Sequence, residues 1–218
     1  MRIVGVDVGS VTQNNFAWAA LDDGQPAALP WGRMPEGAAA AVVHALHAGT
    51  PVVLVLEAPC CVPVPGPDHQ QRLGAARTGE GNRPWSAGAG SGSLATGLAQ
   101  GAWLLREIAR SAPDTTATTS PQRWRAGHAE LLLMEAFISG KGKNPPGPDG
   151  QHIRDAQDAA HAAHTLLDHG SDPLSTICCP DTDGATAFNL LAAMALHAGL
   201  TTDPDELRND VLVARIQH

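Results

Sequence analysis

At 218 residues the chain suits one generous domain, or a domain with a small appendage, and it can bury a substantial core. Hydrophobic residues at 43% and charged residues at 17% exclude a chain that is disordered or fibrous throughout. Fourteen Lys and Arg against 22 Asp and Glu leave a formal net charge of -8, which excludes indiscriminate nucleic-acid binding through a globally positive surface.

The segment Arg2 to Val8 (RIVGVDV) is β-branched and apolar on both faces until Asp7, the pattern of a central strand buried under helices. Gly9 and Ser10 turn the chain, and Asn15 to Leu21 reads as a second strand. Asp23-Gly24 supplies a hairpin turn into a weaker third strand near Ala27 to Arg33. Glu36 to His47 has helical composition and stops at Gly49; Val52 to Leu56 is then a purely apolar run that meets Glu57. That is a helix crossing to a buried strand. From Cys60 to Ser93 the chain is rich in Pro, Gly and polar residues without a sustained period, which predicts a long mobile loop over one rim.

Leu94 to Ala109 returns to helical spacing, with Leu98, Ala102, Leu105 and Ile108 on one face, and Thr115 to Thr119 reads as a short β-branched strand. Pro121 fits the first turn of a helix running to about Ile138, followed by a flexible basic loop, Gly140 to Gly150 (GKGKNPPGPDG). Gln151 to Leu167 is an alanine-rich helix in which Asp155 and Asp158, three residues apart, lie on one face. After Gly170 the chain turns acidic and breaks at Pro173 and Pro180. Helical stretches near Ala185 to Ala198 and Pro204 to Ile216 then predict a small C-terminal helical appendage, so that residues 1–170 form the main domain and 171–218 an extension. No internal repeat is evident.

No apolar run approaches the roughly 18 to 20 residues of a membrane span, and the N-terminus opens into a strand-like segment without a signal peptide's pattern, so a cytoplasmic protein is expected. The four cysteines form two adjacent pairs, Cys60-Cys61 and Cys178-Cys179, without CxxC spacing. Reduced, partly buried thiols are expected; a four-thiolate metal site requires both pairs to converge, against the tendency of neighbouring side chains to diverge. Between Arg72 and Arg154 there are ten basic and six acidic residues, against four and sixteen elsewhere, which allows a basic face on an acidic protein and equally a set of solvated helix surfaces.

These elements predict an α/β fold with a mixed five-stranded sheet, three antiparallel strands followed by parallel ones, flanked by helices. A right-handed crossover through the helix at residues 36–47 makes the first and fourth strands parallel neighbours, placing Asp7 and Glu57 at comparable heights near carboxyl-terminal strand ends. If the late helix packs across this part of the sheet, Asp155 and Asp158 add two more carboxylates, and such a cluster repels itself without cations. Mg²⁺ or Mn²⁺, two ions held by these oxygens, would answer that repulsion, one activating water and the other stabilising a leaving oxygen. Phosphodiester hydrolysis is the chemistry this suits.

The motifs resemble the RNase H-like superfamily, and within it the RuvC-like resolvases and nucleases. Asp7 in GVDVGS is similar to the first-strand aspartate, Glu57 in VLVLEAP to the fourth-strand glutamate, and Asp155 and Asp158 in HIRDAQDAAHAA to the paired acids of the final catalytic helix. His152 resembles an active-site histidine of some RuvC-like nucleases. The likeness covers roughly residues 1 to 168 and implies a Mg²⁺- or Mn²⁺-dependent endonuclease acting on DNA, less readily on RNA. The long stretch after Glu57 and the last 50 residues depart from the family pattern. Junction resolvases act as dimers, and a homodimer stays open here, but no dimer surface or junction-reading element is evident, so that specificity is not carried over.

Several plainer readings stand beside this one. Asp7 alone serves as well as a turn residue, His152 as a solvated helix-start residue, and His161 and His164 as wet-face histidines. Arg123, Lys141 and Lys143 are candidate phosphate contacts, and Trp124 beside Arg123 and Arg125 a candidate base-stacking group. Trp85 and the glycines from Gly79 to Gly92 suggest a substrate-gripping flap, although GAGSG matches no nucleotide-binding fingerprint. A catalytically inactive RNase H-like scaffold that binds nucleic acid or protein is the alternative function. Actin-like ATPases share a DxGS-like first turn, but they duplicate the fold, and 218 residues leave no room for a second copy.

Overall fold

The computed structural model describes residues 1–23, 30–81, 84–138, 143–168, 175, 177–179, 184–200 and 203–216. The chain opens with the antiparallel strands β1 (Arg2–Asp7), β2 (Ala17–Asp22) and β3 (Trp31–Gly32). The expected hairpin turn at Gly24 and the first residues of the expected third strand, 27–29, lie outside the described residues. Helix α1 (Pro35–His47) starts on a proline at its first turn and leads to β4 (Val52–Glu57), which lies parallel to β1 on the side away from β2.

Next come β5 (Cys61–Val64), the long helix α2 (Gly88–Ser111), the two-residue strand β6 (Ala117–Thr118), the short helix α3 (Pro121–Arg125) and β7 (Leu131–Phe137). Helix α4 (Gln151–Asp168), β8 (Thr186–Asn189), α5 (Leu190–Ala198) and β9 (Val213–Arg215) complete the chain. The main sheet runs β3-β2-β1-β4-β7-β6, parallel from β1 onward. Strand β9 adds in parallel to the upper half of the β7 edge whose lower half holds β6. A separate antiparallel ribbon pairs β5 with β8.

Strand alternation divides the core into two layers. Val4, Val6, Leu54, Leu56, Leu131 and Leu133 face α1, α2 and α5, meeting Val42, Leu104, Ile108 and Met194. Ile3, Val53, Val55, Leu132 and Met134 face α4, meeting Ala159, Ala160, Ala163 and Leu166. With both faces covered, the central strands are apolar throughout, as buried parallel strands must be. Among the described residues no helix is long and apolar enough to cross a membrane.

Three expectations need correction. The helix expected from Pro121 to Ile138 is instead the five-residue α3, a left-handed turn at Gly127 (φ +73°) and strand β7. A continuous apolar run such as LLLMEAF fits a strand covered on both faces as well as a buried helix, and periodicity does not separate them. The stretch from Cys60 to Ser93 is not one open loop. It holds β5, a 3-10 turn at Gln70–Arg72, the fully buried Arg77 and the start of α2, so GAGSG begins a helix rather than forming a flap.

The C-terminal part is not a helical appendage. Asn189 ends β8 and caps α5, its side-chain oxygen accepting the Ala192 N–H at 2.9 Å; Leu191, Met194 and Ala195 enter the main core. The segment expected as a second helix there is a 3-10 turn at Pro204–Arg208 followed by β9, and among the described residues the sheet has seven strands rather than five.

Candidate functional site

Asp7 and Glu57 end two adjacent parallel strands and are partners in the same register. By alternation from Ile3 and Gly5, and from Val53 and Val55, both project to the face covered by α4. Helix α4 comes unusually close to that face because Gly5 has no side chain: a Cβ there would stand 2.3 Å from the Ala156 carbonyl oxygen and 2.8 Å from the Ala160 nitrogen. This close packing brings the first turns of α4, with His152 and Asp155, to the carboxyl ends of β1 and β4.

The resulting cluster is tightly bonded. His152 Nδ1 lies 2.7 Å from Asp7 Oδ2. Asp155, 2% exposed, accepts from Lys143 Nζ at 2.6 Å and from Gln151 Nε2 at 2.7 Å. Asp7, His152 and Asp155 each offer one ligand atom, and these atoms lie within 4.8 Å of one another. Glu57 stands beside the trio with its Oε2 buried and without a hydrogen-bond partner among the described residues. A buried carboxylate oxygen with no donor is costly unless it is protonated or meets a cation.

The electrostatics agree. Burial pushes the Asp7 carboxyl up to about 6, with the His152 contact opposing it and the charge of Asp155 adding to it. Burial, followed by the charges of Asp7 and Asp155, holds Glu57 well above the usual carboxylate range. Lys143 supplies positive charge beside Asp155; burial works to lower its pKa, but the bond and charge of Asp155 outweigh it and the pKa is raised. Asp7, Glu57, Asp155 and His152 are therefore gathered in one place, as the topology argument requires.

Asp158 is placed differently. Its carboxylate accepts from Asn144 Nδ2 at 2.9 Å and lies 3.1 Å from Arg154 Nε, and it lines a cavity with His161, Arg154 and Arg215 rather than joining the trio. Arg123 is engaged with Asp203 and, at 3.6 Å, with Glu206, which in turn binds Thr118 and Thr119. Lys143 lies inside the cluster rather than on an open phosphate-binding face. Lys141 lies outside the described residues.

A second charged centre on the opposite face escaped sequence reading. Arg77 clasps Glu135 through two bonds, 2.7 Å from Nη1 to Oε2 and 2.6 Å from Nη2 to Oε1, and bonds Glu80 from Nε and Nη2 at 3.1 and 3.0 Å; all three side chains are fully buried. The N–H groups of Cys60, Arg77 and Trp85 donate to the two glutamates, offsetting the excess negative charge. This centre fastens the stretch after β5 to the carboxyl end of β7. The available signal was the lone Glu135 inside the apolar run LLLMEAFI. Comparison with protein-family models, curated proteins and solved structures gives no match for this chain.

Proposed function

We propose that the chain is an RNase H-like, RuvC-like nuclease that hydrolyses phosphodiester bonds of nucleic acid, DNA in preference to RNA, with Mg²⁺ or Mn²⁺ held by Asp7, Glu57 and Asp155. The observation that carries this reading is the Asp7–Glu57 register pair closed over by the first turns of α4. Three carboxylates from three elements share buried surroundings, and one Glu57 oxygen has no donor. The order of three antiparallel strands, then parallel strands, with helices on both faces, is compatible with the proposed fold.

The carboxylates fit a hard divalent cation: Asp7 and Asp155 offer oxygens within 4.8 Å of each other and of a His152 nitrogen, and Glu57 adds an orphaned buried oxygen beside them. The chemistry that a pair of these ions supplies when bound is water activation and charge stabilisation at the leaving oxygen. The remaining work belongs to side chains. His152, 38% exposed, is oriented through Nδ1 by Asp7 and keeps Nε2 for proton exchange with water. Lys143, partly exposed and paired with Asp155 at 2.6 Å, offsets part of the negative charge within the acidic centre.

One observation favours the inactive scaffold: His152 and Lys143 already pair with Asp7 and Asp155, so the chain supplies part of the neutralisation itself. Cleavage separates the two readings. Purified protein with Mn²⁺ is expected to cut at least one of single-stranded, duplex and branched DNA, and Asp7→Asn is expected to abolish cutting while the circular dichroism stays unchanged. Inactivity on all substrates, DNA and RNA, with no Mn²⁺ bound, would refute the nuclease.

A further inference from the structure

We propose a second metal site, of thiophilic character and separate from the carboxylate cluster, in which Cys61, Cys179 and Asp210 hold one Zn²⁺. Cys61 opens β5, Cys179 follows a bridge between Thr78 and Cys178, and Asp210 lies shortly before β9. These three distant segments meet at a point. Cys61 Sγ lies 3.2 Å from Cys179 Sγ and 3.2 Å from Asp210 Oδ1, and the three ligand atoms all lie within 4.8 Å of one another. The carboxylate is held in place from the backbone: Asp210 Oδ2 accepts the Cys179 N–H at 2.7 Å, and Oδ1 accepts the Val211 N–H at 3.0 Å. One cysteine of each adjacent pair takes part, while Cys178 is bonded to Thr78 and Cys60 is buried on the side of Glu135.

The donor set distinguishes a cation from a disulfide. Two sulfurs and a carboxylate converge here, Cys61 Sγ lying 3.2 Å from both Cys179 Sγ and Asp210 Oδ1, and a disulfide would use the sulfurs alone and leave the carboxylate without a role. The same three groups suit a divalent ion. Two sulfurs and one oxygen match the borderline-soft preference of zinc, whereas Mg²⁺ and Mn²⁺ select oxygen sets such as that around Asp7. Binding replaces the S–H protons, one released from each thiol to solvent, with two Zn–S bonds, and the carboxylate oxygen adds without losing a proton. Three protein ligands leave a fourth tetrahedral position for water. The ion would fasten β5, residues 177–179 and the approach to β9 to one another.

The test uses the full chain, reduced, stripped with a chelator and titrated with Co²⁺ as the spectroscopic probe. One equivalent is expected to bring up thiolate-to-cobalt charge-transfer absorption and tetrahedral visible bands, both lost on adding Zn²⁺. Cys179→Ser, at a partly exposed position, and Cys61→Ser should each lose the charge-transfer absorption. Cys178→Ser and Asp7→Asn should keep it. The proposal is overturned if reduced protein binds Co²⁺ without thiolate absorption, if Cys179→Ser retains the full band, or if the isolated protein carries a Cys61–Cys179 disulfide and no metal.

Discussion

Gly5 of β1 lies directly beneath Ala156 of α4, so closely that a Cβ on it would stand 2.3 Å from the Ala156 carbonyl oxygen. The obstruction is backbone, which cannot rotate away as a flexible side chain can. Gly5→Ala is therefore expected to lift α4 or bend β1, at a cost of about 1–3 kcal/mol as overpacking substitutions do. Because Asp155 immediately precedes Ala156, the same shift separates it from Asp7. Urea unfolding should show the lost stability. Calorimetric Mn²⁺ titration should show weaker binding at temperatures where the variant is folded; unchanged stability and affinity would mean that the contact does not position the site.

Arg77 is the only cation bonded to both Glu80 and Glu135 among the described residues, in a centre without solvent access. Removing one partner of such a group leaves charge buried without compensation, which typically costs about 3–5 kcal/mol. Arg77→Met is expected to lose stability on that scale. A triple replacement, Arg77→Met with Glu80→Gln and Glu135→Gln, should recover part of the loss, since no net charge then stays buried. A drop in the denaturation midpoint of less than that corresponding to about 1 kcal/mol would show that water reaches the centre in solution.

The site was more legible than the sheet around it. RIVGVD and VVLVLE each end an apolar run in one acid, and their shared height follows from a crossover of fixed handedness, so Asp7 and Glu57 could be paired from sequence. Asp155 follows from the helix that crosses them. Asp158 could not be resolved in the same way: a spacing of three puts two residues on one broad face but does not say which of them meets the strand ends. Strand β7 was hidden because LLLMEAF alternates in no direction, and with it went Glu135, whose buried partner Arg77 sits 58 residues earlier in a stretch that looks like loop. Local pattern carries no information about such a pairing. The same holds for Cys61 and Cys179, separated by 118 residues and brought together only by the tertiary fold.

The raised carboxyl of Asp7 makes a signed prediction about pH. Its ordinary value is near 3.8 and its folded value about 6, so between these the folded protein keeps a proton that the unfolded chain has released. Stability of the metal-free protein is therefore expected to fall as pH rises from about 4 to 6, to the extent that Asp7 contributes, with Glu57 extending the loss upward in pH. Asp7→Asn removes the Asp7 contribution. The difference in unfolding free energy between wild type and variant, measured in EDTA, should favour the variant increasingly over this range, and Mn²⁺ at neutral pH should restore wild type only. A difference independent of pH would place the Asp7 carboxyl in contact with water.

Lys143 sits 2.6 Å from Asp155 and occupies the electrostatic role that a cation would otherwise fill there. Two charges of the same sign compete for one group of carboxylates, so displacing the ammonium is part of the cost of binding a divalent ion at Asp155. Lys143→Met keeps much of the aliphatic bulk and removes the charge. Metal-free protein carrying this change is expected to lose stability at neutral pH, because Asp155 stays buried with, among the described residues, only Gln151 as a side-chain donor. Its Mn²⁺ affinity is expected to rise several-fold, and the stabilisation by saturating Mn²⁺, read as the shift in melting temperature, to exceed that of wild type. If affinity falls instead, the ammonium does not compete with the ion, and Lys143 belongs with the groups that hold Asp155 in place for it.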